Sequence, residues 1–216
     1  MRIGCPSALF FLLGFVCGAF YFTAVVGWKK KNGRFRLFSG FALCVQALTG
    51  MAFFAVYFRY GMGRETVLGI LFASLLVLIT LTDITDQSIP NRLLLPFFLL
   101  FLVLRFWHPY PGHGYVTHLA STAAAFLCFW MFAAASGGIG GGDIKLYAVI
   151  GMFLPPFPLF RAVLLSSIIG CLTVAVMLLL QRIKRRQMVA YGPFIAIGSF
   201  LSYLYGDVCP VGFNCG

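Results

Sequence analysis

Two aspartates carry the chemistry that this sequence offers. Asp83 closes an apolar run and stands six residues ahead of Ile89-Pro90-Asn91. Asp143 lies in Gly137-Gly138-Ile139-Gly140-Gly141-Gly142-Asp143-Ile144-Lys145-Leu146, between two strongly apolar segments. An ionisable residue at such a place is by default a candidate for function. The chain holds five acids in all: Glu65, Asp83, Asp86, Asp143 and Asp207. Two carboxylates brought close cannot both ionise easily, so such a pair shares a proton. The ionised partner then draws a proton from water while the protonated one polarises a carbonyl, which is the division of labour that amide hydrolysis needs. Glycines beside Asp143 carry no side chain and let a substrate backbone approach closely.

Simpler readings exist for each feature alone. Gly138/Gly142 and Gly14/Gly18 are small-xxx-small pairs of the kind that pack membrane helices. Asp83 or Asp86 alone can cap a helix, and Asp86 can equally tune the charge of Asp83, bind a basic peptide or simply be solvated. Neither packing nor capping explains two aspartates on one face in a chain so poor in acids. Other chemistries lack their residues. His108, His113 and His118 are spaced by five, which does not align them on one helical face, and they read as loop histidines rather than a metal site. HExxH, Gly-Lys-Ser/Thr and GxSxG are absent, against zinc peptidase, phosphate-loop and serine-hydrolase readings.

These residues need a membrane scaffold. The sequence of 216 residues is 61% hydrophobic and 10% charged, with a mean hydropathy of +0.97. That excludes an ordinary soluble domain. The formal net charge of +11 reads as basic loops flanking apolar spans rather than as a nucleic-acid surface. The expected fold is all-α, a polytopic transmembrane helix bundle of about eight spans forming one membrane domain over 1–216, at ~20 residues per span. The spans run at about 6–28, 37–58, 66–82, 90–107, 116–135, a short or broken sixth element after Asp143, 159–181 and 189–205. Asp83 ends the third, a polar linker follows, and Pro90 marks the entry to the fourth, because a first helical turn has no N–H partner to lose. The sixth has only about a dozen apolar residues before Pro155-Pro156, too few to cross ~30 Å of hydrocarbon. The first apolar run has no small-residue cleavage site after it and reads as a retained span.

Orientation follows from the basic residues. If the loop at 29–36 is cytoplasmic, eleven of the sixteen lysines and arginines fall inside, with both termini outside. Two spans separate Asp83 from Asp143, so both reach the same, cytoplasmic, face. None of the seven cysteines forms a CxxC. Cys17, Cys44, Cys128 and Cys171 fall in apolar runs, where cysteine acts as a small hydrophobe. Cys209 and Cys215 can pair if the tail meets an oxidising compartment.

Three segments now make a resemblance visible. Asp83-Ile84-Thr85-Asp86-Gln87-Ser88-Ile89-Pro90-Asn91 resembles the first aspartate motif of the type IV prepilin peptidases, which are GxGD intramembrane aspartyl peptidases. Gly140-Gly141-Gly142-Asp143-Ile144-Lys145-Leu146 is similar to their GxGDxKL motif, and Tyr191-Gly192-Pro193-Phe194-Ile195-Ala196-Ile197-Gly198 to their last-span Gly-Pro-Phe segment. The resemblance implies a cut at the cytoplasmic face of the inner membrane. The bond lies between a short basic leader and the apolar helix of a prepilin-like precursor (pilin, pseudopilin or preflagellin-like). It implies Asp83 and Asp143 as the catalytic pair, Gly140, Gly142, Lys145, Pro90 and Asn91 as supporting motif residues, and no metal or cofactor. Many bacterial members carry a cytoplasmic domain with paired CxxC motifs after the first span, associated with N-methylation by S-adenosylmethionine. Here the loop at 29–36 holds no cysteine, so that second activity is not expected. From another class, an ion-coupled transporter also uses broken helices and membrane aspartates. An inverted-repeat pattern between the two halves would favour it, and none is evident.

Overall fold

A computed structural model describes residues 5–30, 39–136, 140–181 and 189–206. Among them are eight helices and no strand: α1 Cys5–Lys30, α2 Ser39–Tyr60, α3 Arg64–Asp86, α4 Asn91–Trp107, α5 Tyr115–Ser136, α6 Gly141–Phe153, α7 Pro156–Leu179 and α8 Gly192–Leu204. Each corresponds to one of the eight expected elements. Five of them, α1, α2, α3, α5 and α7, are long and apolar enough to cross a membrane. The 17 residues of α4 reach about 25 Å and the 13 of α6 and of α8 about 20 Å. The short sixth element was legible beforehand; the equal shortness of α8 was not.

Boundaries differ from the sequence reading in one place that matters. The polar stretch after Asp83 does not start a linker there: α3 continues through Asp86, so Asp83 lies inside its last turn. The Gln87 N–H donates to the Asp83 carbonyl at 2.8 Å, and Gln87 takes the left-handed conformation, φ 48°, a common way to end a helix. Pro90 sits at the N-cap of α4 with φ −72° and ψ 129°, so Asn91 is the first helical residue. Pro155 caps α7 and Pro156 occupies its first turn, which is why α6 and α7 are separate helices.

The chain forms two compact units, Met1–Thr82 and Asp83–Gly216. In the first, α1 and α2 run antiparallel in close contact. A Cβ on Gly14 would lie 2.8 Å from the Thr49 carbonyl oxygen and 2.9 Å from the Gly50 Cα, and one on Gly18 2.8 Å from the Gln46 Cα. The Gly14/Gly18 pair is thus a packing device, as the simpler reading expected. Phe10 stacks on Tyr57 at 4.5 Å, and Val25, Val45 and Leu81 form a buried cluster. In the second unit, two crossings are equally tight. A Cβ on Gly151 of α6 would meet the Ser121 carbonyl of α5 at 2.9 Å, and one on Gly198 of α8 would meet the Ser166 nitrogen of α7 at 2.5 Å. Arg105 is fully buried: its Nε donates to the Phe153 carbonyl at 3.2 Å, and its guanidinium lies over the Phe153 ring at 4.5 Å. This holds the end of α4 to the end of α6. His108 and His113 belong to the α4–α5 connection. His118 lies in α5, buried, and its Nε2 accepts the Tyr110 N–H at 3.2 Å.

The basic stretch 31–38, Arg182–Arg186, Gly138, Asp207 and the Cys209/Cys215 pair lie outside the described residues. Cys17, Cys44, Cys128 and Cys171 are free thiols.

Candidate active site

Every residue of the site belongs to the second unit. Asp83 is on the last turn of α3, where the side chain is buried, 6% exposed. Its Oδ2 accepts the Gly192 N–H at 2.6 Å, a contact that spans 109 positions of chain. Asp143 is in the first turn of α6, where a carboxylate faces the positive end of the helix dipole. Gly140 caps that helix in an extended conformation, φ −66° and ψ 137°, and its carbonyl accepts the Asp143 N–H at 3.0 Å. Helix α6 is too short to cross a membrane, and Asp143 stands half-buried at its beginning. Burial, with the nearby Asp83 carboxylate adding to it, raises the Asp143 carboxyl to about 6.

Both acids line one cavity of about 1390 Å³. Its polar end is formed by Asp83, Gln87, Ser88, Gly140, Gly141, Gly142, Asp143 and Tyr191. Its other walls are apolar or small: Ala120, Ala124 and Cys128 of α5 with Phe129 and Phe132, and Leu159, Phe160 and Val163 of α7. Phe129 stacks face to face on Tyr147 of α6 at 4.1 Å, and the Tyr147 hydroxyl is 2.6 Å from the Ser166 hydroxyl of α7. A polar lining joined to an apolar trough suits a substrate that is itself part polar and part membrane-embedded.

The supporting residues fall as follows. Lys145 Nζ donates to Asn91 Oδ1 at 3.0 Å on the surface, so the two aspartate motifs are joined directly, through the starts of α4 and α6. Pro90 does not line the cavity; it sets the entry to α4 that presents Asn91. Gly142 is packed tightly, since a Cβ there would lie 3.2 Å from the Ile89 Cβ. Gly140 is less constrained, with the Asp143 Oδ2 3.5 Å from its would-be Cβ. Asp86 is exposed at the end of α3 and is not among the cavity residues. Gly192 was not among the expected site residues. The signal for it was a Gly-Pro pair opening the last apolar segment, a helix start whose first N–H has no partner within the helix.

The model of the type IV leader peptidase family matches residues 70–175. A prepilin leader peptidase/N-methyltransferase of Bacillus subtilis is 42% identical over 163 residues, 75% of this chain and 65% of that protein. Proteins of the same name from Aeromonas salmonicida and Neisseria gonorrhoeae are 29% and 26% identical, each over 76% of this chain and 57% of their own length. The chain therefore spans between just over half and just under two thirds of these relatives. No solved structure matches. None of these likenesses favours the transporter alternative. Five apolar helices of spanning length together with these relatives make this a multi-pass membrane protein. The matched region runs from α3, which delivers Asp83, through Asp143 into α7, and over it the chain is similar to the type IV leader peptidase family.

Proposed function

We propose that this chain is an intramembrane aspartyl endopeptidase, a single membrane domain that removes the short basic leader from prepilin-like precursors. The observation that carries the proposal is the pair of acids, one from each motif, lining one cavity with Asp143 raised by burial and by Asp83. Asp143 holds the shared proton and Asp83 is the ionised partner, supported by the N–H that Gly192 donates to it. Water attacks the scissile carbonyl carbon and gives a proton to Asp83, while Asp143 protonates the carbonyl oxygen. The tetrahedral diol then collapses: the C–N bond breaks, Asp83 protonates the leaving nitrogen, and Asp143 recovers its proton from a diol hydroxyl. Both acids finish as they began. No metal or cofactor enters these steps.

The apolar trough suits the hydrophobic helix that follows the scissile bond, and the polar mouth suits the leader. The excess of basic residues on the loops that share a side with Asp83 and Asp143 supports a cut at the cytoplasmic face of the inner membrane, with both termini outside. The relatives named above also carry the term N-methyltransferase. That activity is not part of the proposal, because the loop at 29–36 holds no cysteine.

The test is cleavage by purified protein in detergent of a precursor with a basic leader, a glycine and an apolar helix, with the cut located by mass spectrometry. Cleavage after the glycine, lost in both Asp83→Asn and Asp143→Asn, is expected. Cleavage that survives either substitution removes that acid from the chemistry.

A further inference from the structure

Gly192 opens α8, and its position answers a question that the acid pair raises: what fixes the Asp83 carboxylate so that one oxygen faces the reacting water. The first turn of a helix presents N–H groups without intrahelical partners. In α8, Tyr191 is the cap, Gly192 the first residue and Pro193 the second. Phe194 and Ile195 donate back to the Tyr191 carbonyl at 3.1 and 3.2 Å. Pro193 has no N–H to donate. The Gly192 N–H is thus the first-turn donor left to point outward, and it ends on Asp83 Oδ2 at 2.6 Å in a buried setting.

The same residue also touches Asp83 sterically. A Cβ at position 192 would lie 2.7 Å from Oδ2, 2.9 Å from Cβ and 3.0 Å from Cγ of Asp83. Two of these three atoms are not the free end of the side chain, so rotation of the carboxylate does not relieve them all. Gly192 is held in turn from α7: a Cβ on Gly170 would meet the Tyr191 ring at 2.8 Å, so the ring beside Gly192 is seated on the backbone of α7.

We infer that Gly192 is a positioning residue for the peptidase reaction: its N–H orients the Asp83 carboxylate and its missing side chain leaves the space that carboxylate occupies. The inference rests on the peptidase reading above. Pro193 has a part in it, since a second donor at that position would compete for the same oxygen.

Three measurements on the full-length protein test it. Gly192→Ala is expected to lower kcat about tenfold or more while KM stays within about twofold, because a displaced carboxylate impairs the chemistry and leaves the apolar trough intact. Replacing the 191–192 peptide bond by an ester removes the N–H and adds no atom. It is expected to lower kcat about tenfold with KM unchanged, and it remains informative if the alanine variant does not fold. Thermal unfolding gives a readout free of activity: Gly192→Ala is expected to lower Tm more in the wild-type background than in Asp83→Ala, where Oδ2 and Cγ are gone and only the Cβ contact remains.

Unchanged kcat in both the alanine and the ester variants overturns the inference, as does an equal Tm loss in the two backgrounds. A matched rise of KM with the fall of kcat makes Gly192 a substrate-binding residue and overturns it too. Wild-type protein that cuts no precursor, or Asp83→Asn protein that still cuts, refutes the peptidase reading instead. The role in catalysis then falls with it, and the Tm comparison alone decides the contact.

Discussion

The crossing of α8 over α7 offers a severe test, because its tolerance is small and its consequence reaches the acid pair. Gly198 stands in α8 where a Cβ would lie 2.5 Å from the Ser166 nitrogen, 2.9 Å from the Ala162 carbonyl and 2.9 Å from the Ser166 Cα. All three are backbone atoms, so no rotamer change relieves the overlap. Bringing the shortest contact to an ordinary 3.4 Å requires the two helices to part by about 0.9 Å. Overpacking of this kind costs about 1–3 kcal/mol. Gly192 lies six residues toward the start of the same helix, about 9 Å away. If α8 moves as a body by about 0.9 Å along the direction of the bond, the 2.6 Å contact to Asp83 stretches to about 3.5 Å, the limit of a hydrogen bond. Gly198→Ala is therefore expected to lose about 1–3 kcal/mol of stability and about tenfold or more in kcat. Chemical unfolding in detergent reads the first and precursor cleavage the second. Gly114→Ala is the control, since nothing lies within 4 Å of its would-be Cβ. A Gly198→Ala protein with wild-type stability and wild-type kcat would refute both the crossing geometry and the coupling to Asp83.

Three further outcomes are expected. Asp143 is raised to about 6, so it is protonated below that pH and loses its proton above it; kcat/KM should fall on the alkaline side with an apparent pKa near 6, about tenfold per pH unit, and a profile flat to pH 9 would exclude Asp143 as the proton donor. Lys145→Ala and Asn91→Ala, combined in a double-mutant cycle of unfolding free energies, should couple by less than about 1 kcal/mol, because their bond is at the surface; a larger coupling would mean the tie between the two motifs is structural in a way its exposure does not suggest. Within the glycine motif, Gly142→Ala should lower activity more than Gly140→Ala, because the added methyl meets the branched Cβ of Ile89 at 3.2 Å in one case and an ordinary 3.5 Å contact in the other; the reverse order, measured by cleavage rate, would refute that packing.

What the sequence by itself determined is what local chemistry encodes. Runs of apolar residues must satisfy their backbone internally in a bilayer, so they are helices. Prolines and glycines mark where the helices stop, which is why α4 and the short α6 were legible to within a residue or two. Scarcity did the rest for the acids: with five carboxylates in the chain, Asp83 and Asp143 stood out before any geometry was known. The end of α3 was misjudged because Thr85 and Asp86 are polar yet still helical, the stop coming only from the left-handed Gln87. Tertiary structure alone decided how the helices are rotated and crossed. Helices such as α7, apolar nearly all round, have no polar stripe from which a facing side can be read. The Gly192 bond to Asp83, the Lys145 bond to Asn91 and the tight crossings at Gly151 and Gly198 all depend on that rotation. They join residues from 30 to more than 100 positions apart, and nothing in the local pattern of either partner specifies the other.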